Sequence, residues 1–140
     1  MEITANALQT VTPNGIIVFT NTAVSGNPSI LHREGSGLVS LRGLTNQCRA
    51  RFRVMFGGNV ALPTGATETE PISLAIAING EPLVTSTMLS TPGAVGEFNN
   101  VSCATFLDIA AGCCAQISIE NTGATSVEVQ NANLIVERVA

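Results

Sequence analysis

At 140 residues the chain has the length of one domain, and its 11% charged content lies far below the ~25% of an ordinary soluble domain. A net charge of −4 and the absence of any lysine exclude a basic surface that tracks phosphates, and with it nucleic acid as a partner. One histidine, one aspartate, no tyrosine and no tryptophan remove most of the groups from which catalytic sites are built.

Residues 1–14 are weakly patterned and read as an N-terminal arm or a first strand, with residues 15–140 forming the domain proper. They show no basic segment followed by an apolar run, and no stretch of the chain reaches the ~20 apolar residues of a membrane span, so synthesis in the cytoplasm without a signal peptide is expected. Ile16-Ile17-Val18-Phe19 follows the turn signal Pro13-Asn14-Gly15 and reads as a strand. Ser29-Ile30-Leu31-His32 gives another, running into Gly35-Ser36-Gly37. Leu38, Ser40 and Arg42 then alternate with Val39 and Leu41.

The next segment says most. Arg49, Arg51 and Arg53 alternate with Cys48, Ala50, Phe52, Val54 and Phe56, a period of two that predicts a strand with one apolar face and three arginines on the other. Three like charges side by side need partners, which solvent, a ligand or acidic residues of this or another subunit would supply. Gly57-Gly58-Asn59 is expected to end or bulge this strand.

A polar loop from Pro63 to Pro71 carries Glu68 and Glu70. Ile72 to Ile78 forms a strand, Asn79-Gly80 supplies the two positive-φ positions of a type I′ turn, and Leu83 to Leu89 is the expected return strand after Pro82. Val101 to Ile109 and Cys113 to Asn121 follow, joined by Ala110-Ala111-Gly112. A last strand from Ser126 to about Val139 is expected inside a sheet. The pattern predicts an all-β, two-sheet jelly-roll sandwich of about ten strands.

Chemistry is sparse. A Ser-His-Asp arrangement has only His32 and Asp108 to draw on, far apart in sequence. The four cysteines (Cys48, Cys103, Cys113, Cys114) contain no Cys-x-x-Cys pair and read as free buried thiols, with alternation turning one of the adjacent pair inward. Glu68 and Glu70 lack the density of acidic and amide donors of a calcium loop and read as solvated. Phe19, Phe52, Phe56 and Phe106 lie on expected strands, and most of them read as core. No catalytic residue, cofactor or metal is expected, and the chain reads as a non-enzyme.

Association remains. The final strand mixes Glu128, Gln130, Asn131, Asn133, Glu137 and Arg138 with apolar residues. If it lies beside the arginine strand, Glu137 or Glu128 meets Arg49, Arg51 or Arg53, either as an exposed ladder within the subunit or across an interface between subunits.

The strand order, the run Ile30-Leu31-His32-Arg33-Glu34-Gly35-Ser36-Gly37, the Arg-x-Arg-Phe-Arg-Val-x-Phe strand and the ending Val129-Gln130-Asn131-Ala132-Asn133-Leu134-Ile135-Val136 resemble C1q/TNF-like jelly-roll domains. The resemblance spans about residues 15–140 and is nearest to the versions found in bacteriophages and Firmicutes. It implies a compact homotrimer in which the sheet holding the first, third, sixth and last strands faces a threefold axis, with Arg49, Arg51, Arg53, Asn131, Asn133 and Glu137 at or near that interface. It further implies a structural protein on the surface of a phage virion, a capsid decoration or head-fibre protein with capsid proteins as partners. The alternative is a receptor- or glycan-recognising module of a fibre head, tail or spore surface.

Overall fold

Alternating apolar residues and short turn signals build two antiparallel sheets in the computed structural model, which describes all of residues 1–140. In chain order the strands are β1 (Glu2–Ala5), β2 (Gln9–Val11), β3 (Asn21–Val24), β4 (Ile30–His32), β5 (Val39–Arg42), β6 (Arg49–Ala61) and β7 (Ile72–Ile78). They continue with β8 (Glu81–Pro82), β9 (Met88–Ser90), β10 (Asn99–Ala110), β11 (Cys114–Asn121) and β12 (Val127–Arg138). Sheet one has the order β10-β6-β12-β1-β3, with β2 also on β12, and sheet two runs β4-β5-β11-β7-β8, with β9 also on β7.

One continuous cluster of buried side chains lies between the sheets, with Phe52, Val54, Leu134 and Val136 from sheet one and Leu41, Leu74, Ile76, Ile117 and Ile119 from sheet two fully buried. The expected jelly-roll sandwich is what forms, and β12 is central in its sheet. It holds more strands than expected because residues 1–14 contribute β1 and β2, and because the segment after Asn79-Gly80 is divided.

That division has a local cause. Asn79 and Gly80 take φ of 51° and 85°, as the type I′ turn requires. The return strand then lasts only for Glu81–Pro82, where the expectation was a continuous Leu83–Leu89. Ser86 takes the place of the missing backbone: its hydroxyl accepts from Ile76 N at 2.9 Å and donates to Leu83 O at 2.8 Å, holding a single 3₁₀ turn at Val84–Ser86 before β9 resumes.

Ile16–Phe19 also departs from expectation, forming isolated bridges and no strand. The segment passes between the two sheets, so successive residues bond different neighbours. Ile17 N donates to Ile119 O of sheet two, Val18 bonds the Gln9 carboxamide through both N and O at 2.9 Å, and Phe19 N donates to Ser36 O.

The arginine strand does not end at Gly57-Gly58-Asn59 but runs on to Ala61. The irregularity lies in its neighbour β12, where the register slips between Gln130 and Asn133. Val127 and Val129 are buried before that point and Ala132, Leu134 and Val136 after it, so the inward parity changes from odd to even. One extra residue restores the alternation, and Asn131 supplies it at φ 56°, a left-handed conformation that asparagine tolerates.

The cysteines contradict the buried-thiol expectation. Cys48, Cys113 and Cys114 are exposed and Cys103 is half-buried. Cys48 and Cys113 lie in the turns flanking β6 and β11, where their carbonyls accept from Ala111 and Gly43, and alternation begins only after them. Burial pushes the Cys103 thiol up from its ordinary value.

Candidate functional site: the outward face of sheet one

Register decides what this face presents. Along β6 the outward residues are Arg49, Arg51, Arg53, Met55, Gly57 and Asn59. Opposite them on β10 stand Ala110, Asp108, Phe106, Ala104, Ser102 and Asn100. On the other side, β12 sets Glu137 against Arg53, Ile135 against Met55, Asn133 against Gly57 and Gln130 against Asn59. The face therefore divides into three bands.

The first band is an ion-pair ladder. Arg51 grips Asp108 with a two-bond fork, Nε to Oδ1 at 2.8 Å and Nη2 to Oδ2 at 3.1 Å. Arg49 Nη1 lies 3.5 Å from the same carboxylate, and Arg53 pairs with Glu137 on the other flank. The Arg51 hydrogen bonds hold the Asp108 carboxyl below the usual carboxylate range, with the charge of Arg49 adding to the effect, and Asp108 in turn pushes the Arg51 guanidinium up. Three arginines against two carboxylates leave the band one positive charge in excess.

The middle band is apolar. Met55 lies between Ala104 and Ile135, and Phe106, 60% exposed, borders them. Across Glu2 of β1 the row ends at Val24, which is 55% exposed. The third band is a chain of amides: Asn100 Nδ2 donates to Asn59 Oδ1 at 3.3 Å, and Asn59 Nδ2 to Asn131 Oδ1 at 3.2 Å. Asn133 Nδ2 donates to Glu2 Oε2 at 2.7 Å.

All six residues singled out from the sequence thus share one face, with Arg49, Arg51, Arg53 and Glu137 at one end and Asn131 and Asn133 at the other. Glu128 faces Ala61 and does not reach the arginines. Sequence reasoning missed Asp108 as their principal partner; of the four phenylalanines on expected strands, Phe19, Phe52 and Phe56 are core as most were expected to be, and Phe106 is the exception. The signal was present in β10, where Leu107 and Ile109 take the inward parity and leave Phe106 and Asp108 outward. His32 and Asp108 lie on different sheets, so the triad that the composition allowed is not assembled; His32 instead bonds Ser36 O through Nε2 at 2.9 Å.

No family model matches this sequence, and no curated protein sequence matches it either. Solved structures do. The globular domain of zebrafish complement 1qA protein overlays with a TM-score of 0.64 at 11% identity, over 96% of this chain and 93% of that one. The TNF Eiger from S. frugiperda overlays with a TM-score of 0.69 at 13% identity, over 100% of this chain and 92% of that one. The fold is a C1q/TNF-like jelly roll, in agreement with the resemblance carried by the sequence.

Proposed function

We propose that the chain is a non-enzymatic structural protein that assembles as a homotrimer through the outward face of sheet one and is displayed on a phage virion, as a capsid decoration or head-fibre protein. The observation that carries the assembly is the middle band. A sheet face meant only for solvent has no use for Phe106, Met55 and Ile135 in adjoining rows, whereas an interface takes an apolar centre with a polar rim. The rim here holds both signs of charge and both ends of the amide group, so copies of the same surface can complement one another. The C1q/TNF-like fold supports the choice of three subunits, and the resemblance to phage versions of that domain supports the choice of a virion.

Mass spectrometry of gradient-purified particles from a lysate of the cells that make this chain tests the location. The proposal expects the chain to co-sediment with capsid protein in a fixed ratio; its recovery only in the soluble fraction would overturn it. A second reading, a recognition module of a fibre head, tail or spore surface, draws support from a polar groove on the opposite sheet.

A further inference from the structure

Sheet two presents a shallow groove of about 330 Å³ in which Arg33, Ser36, Ser40 and Gln116 lie between Leu31 and Leu38. A neighbouring hollow of about 280 Å³ shares Ser40 and Gln116 and reaches Asn79. Register makes this a built surface: Leu31 stands opposite Ser40, and Ser40 opposite Gln116, so the three project side by side from β4, β5 and β11. His32 fixes one corner. Its Nε2 meets the Ser36 carbonyl, which can only accept, so the ring donates there and holds the turn that carries Ser36.

Ser36 Oγ accepts from Leu38 N at 3.0 Å, but three other side chains of the groove are unspent. Arg49, Arg51 and Arg53 are held by carboxylates, Arg42 by the Pro28 carbonyl and Arg138 by the Ala140 carbonyl. Arg33 alone among the arginines has a guanidinium with no partner in the fold, and it lines the groove. The Gln116 carboxamide and the Ser40 hydroxyl are likewise without side-chain partners; the bonds at Gln116 are made by its backbone to Asn79. Leu31 and Leu38, 46% and 39% exposed, add two small apolar surfaces at the sides.

We propose that this groove binds an acidic saccharide, with the carboxylate on Arg33, ring hydroxyls on Ser40 and Gln116, and the apolar face of a ring against the leucines. The inference rests on the recognition reading and names its ligand class. A planar guanidinium without a partner matches a carboxylate through two parallel bonds. Hydroxyl and carboxamide groups that both donate and accept suit a ligand rich in hydroxyls. An extended peptide fits less well, because β5 and β11 spend their backbone groups on strands at both sides, and the one free ladder, the outer edge of β4, lies beside the groove and not along its floor.

Surface plasmon resonance on immobilised polygalacturonate and polysialic acid, with dextran as the neutral surface, tests it using the full chain. Retention on at least one acidic surface is expected, falling about tenfold or more in Arg33→Ala, the loss of one charge-assisted hydrogen-bonding group. Gln116→Ala is expected to weaken it less. Both residues are exposed, and native mass equal to that of the parent shows that the variants remain assembled and folded. No retention on either acidic surface, or retention unchanged in Arg33→Ala, would overturn the inference. Retention on dextran alone would also overturn it while leaving the recognition reading in place.

Discussion

Arg51 of β6 and Asp108 of β10 stand directly opposite each other and are joined by two nearly parallel hydrogen bonds, with Arg49 on the same carboxylate. Their side chains are 40% and 36% exposed, so solvent screens the pair and the subunit gains little stability from it. The fork does fix where the charges sit. A rigid charge pattern at the rim of an apolar band governs which surface can dock there.

Arg51→Glu sets two carboxylates against each other at that rim. The expected outcome is a thermal midpoint of the subunit close to the parent's together with loss of the oligomer, read by unfolding scans and light scattering on the same sample. An intact oligomer would move the arginines to solvent.

Acid should act on the same pair. The folded-state pKa of Asp108 is depressed, so its contribution is complete above the ordinary aspartate value of about 3.9 and is lost as pH falls through the lower folded-state value. The carboxyl carbon of Asp108, followed by NMR, is expected to titrate below that ordinary value and to move back towards it in Arg51→Gln. A midpoint indifferent to Arg51 would remove the pair from solution.

Asn131 tests the register of the final strand. Asn131→Gly keeps the left-handed conformation, whereas Asn131→Val places a β-branched side chain at φ 56° and is expected to cost about 1–2 kcal/mol in denaturant unfolding. Deleting the residue turns either Val127 and Val129 or Ala132, Leu134 and Val136 to the wrong face, and no folded protein is expected.

Asn121 carries a different load. It is fully buried, its amide donates to Val11 O at 3.0 Å and to Thr125 O at 2.8 Å, and its Oδ1 accepts from Gly123 N at 3.0 Å. Asn121→Ala leaves those groups without this partner and is expected to cost about 2–4 kcal/mol, checked by the shift in urea midpoint.

Strands with clean alternation were legible, the arginine strand above all, because a period of two states both the element and its faces. The Asn79-Gly80 turn was legible for the same reason: few residues adopt those dihedrals. Legibility failed where side chains stand in for backbone. Nothing local to Ile16–Phe19 shows that the Gln9 carboxamide will take Val18, and nothing near Leu83–Leu89 shows that the Ser86 hydroxyl will interrupt the ladder. The bulge was written in the parity change between Val129 and Ala132, but reading it needs the sheet order that only the fold supplies. Asp108 escaped for that reason too, since its partner lies 57 positions away and depends on β10 lying beside β6.

The most direct test of the account is the native mass of the purified chain across a salt series. Assembly through the apolar band of sheet one predicts three times 14.4 kDa, persisting as salt rises because the rim charges are screened while the centre is not. A mass of 14.4 kDa at every salt concentration would contradict it and leave Phe106 and its neighbours facing solvent.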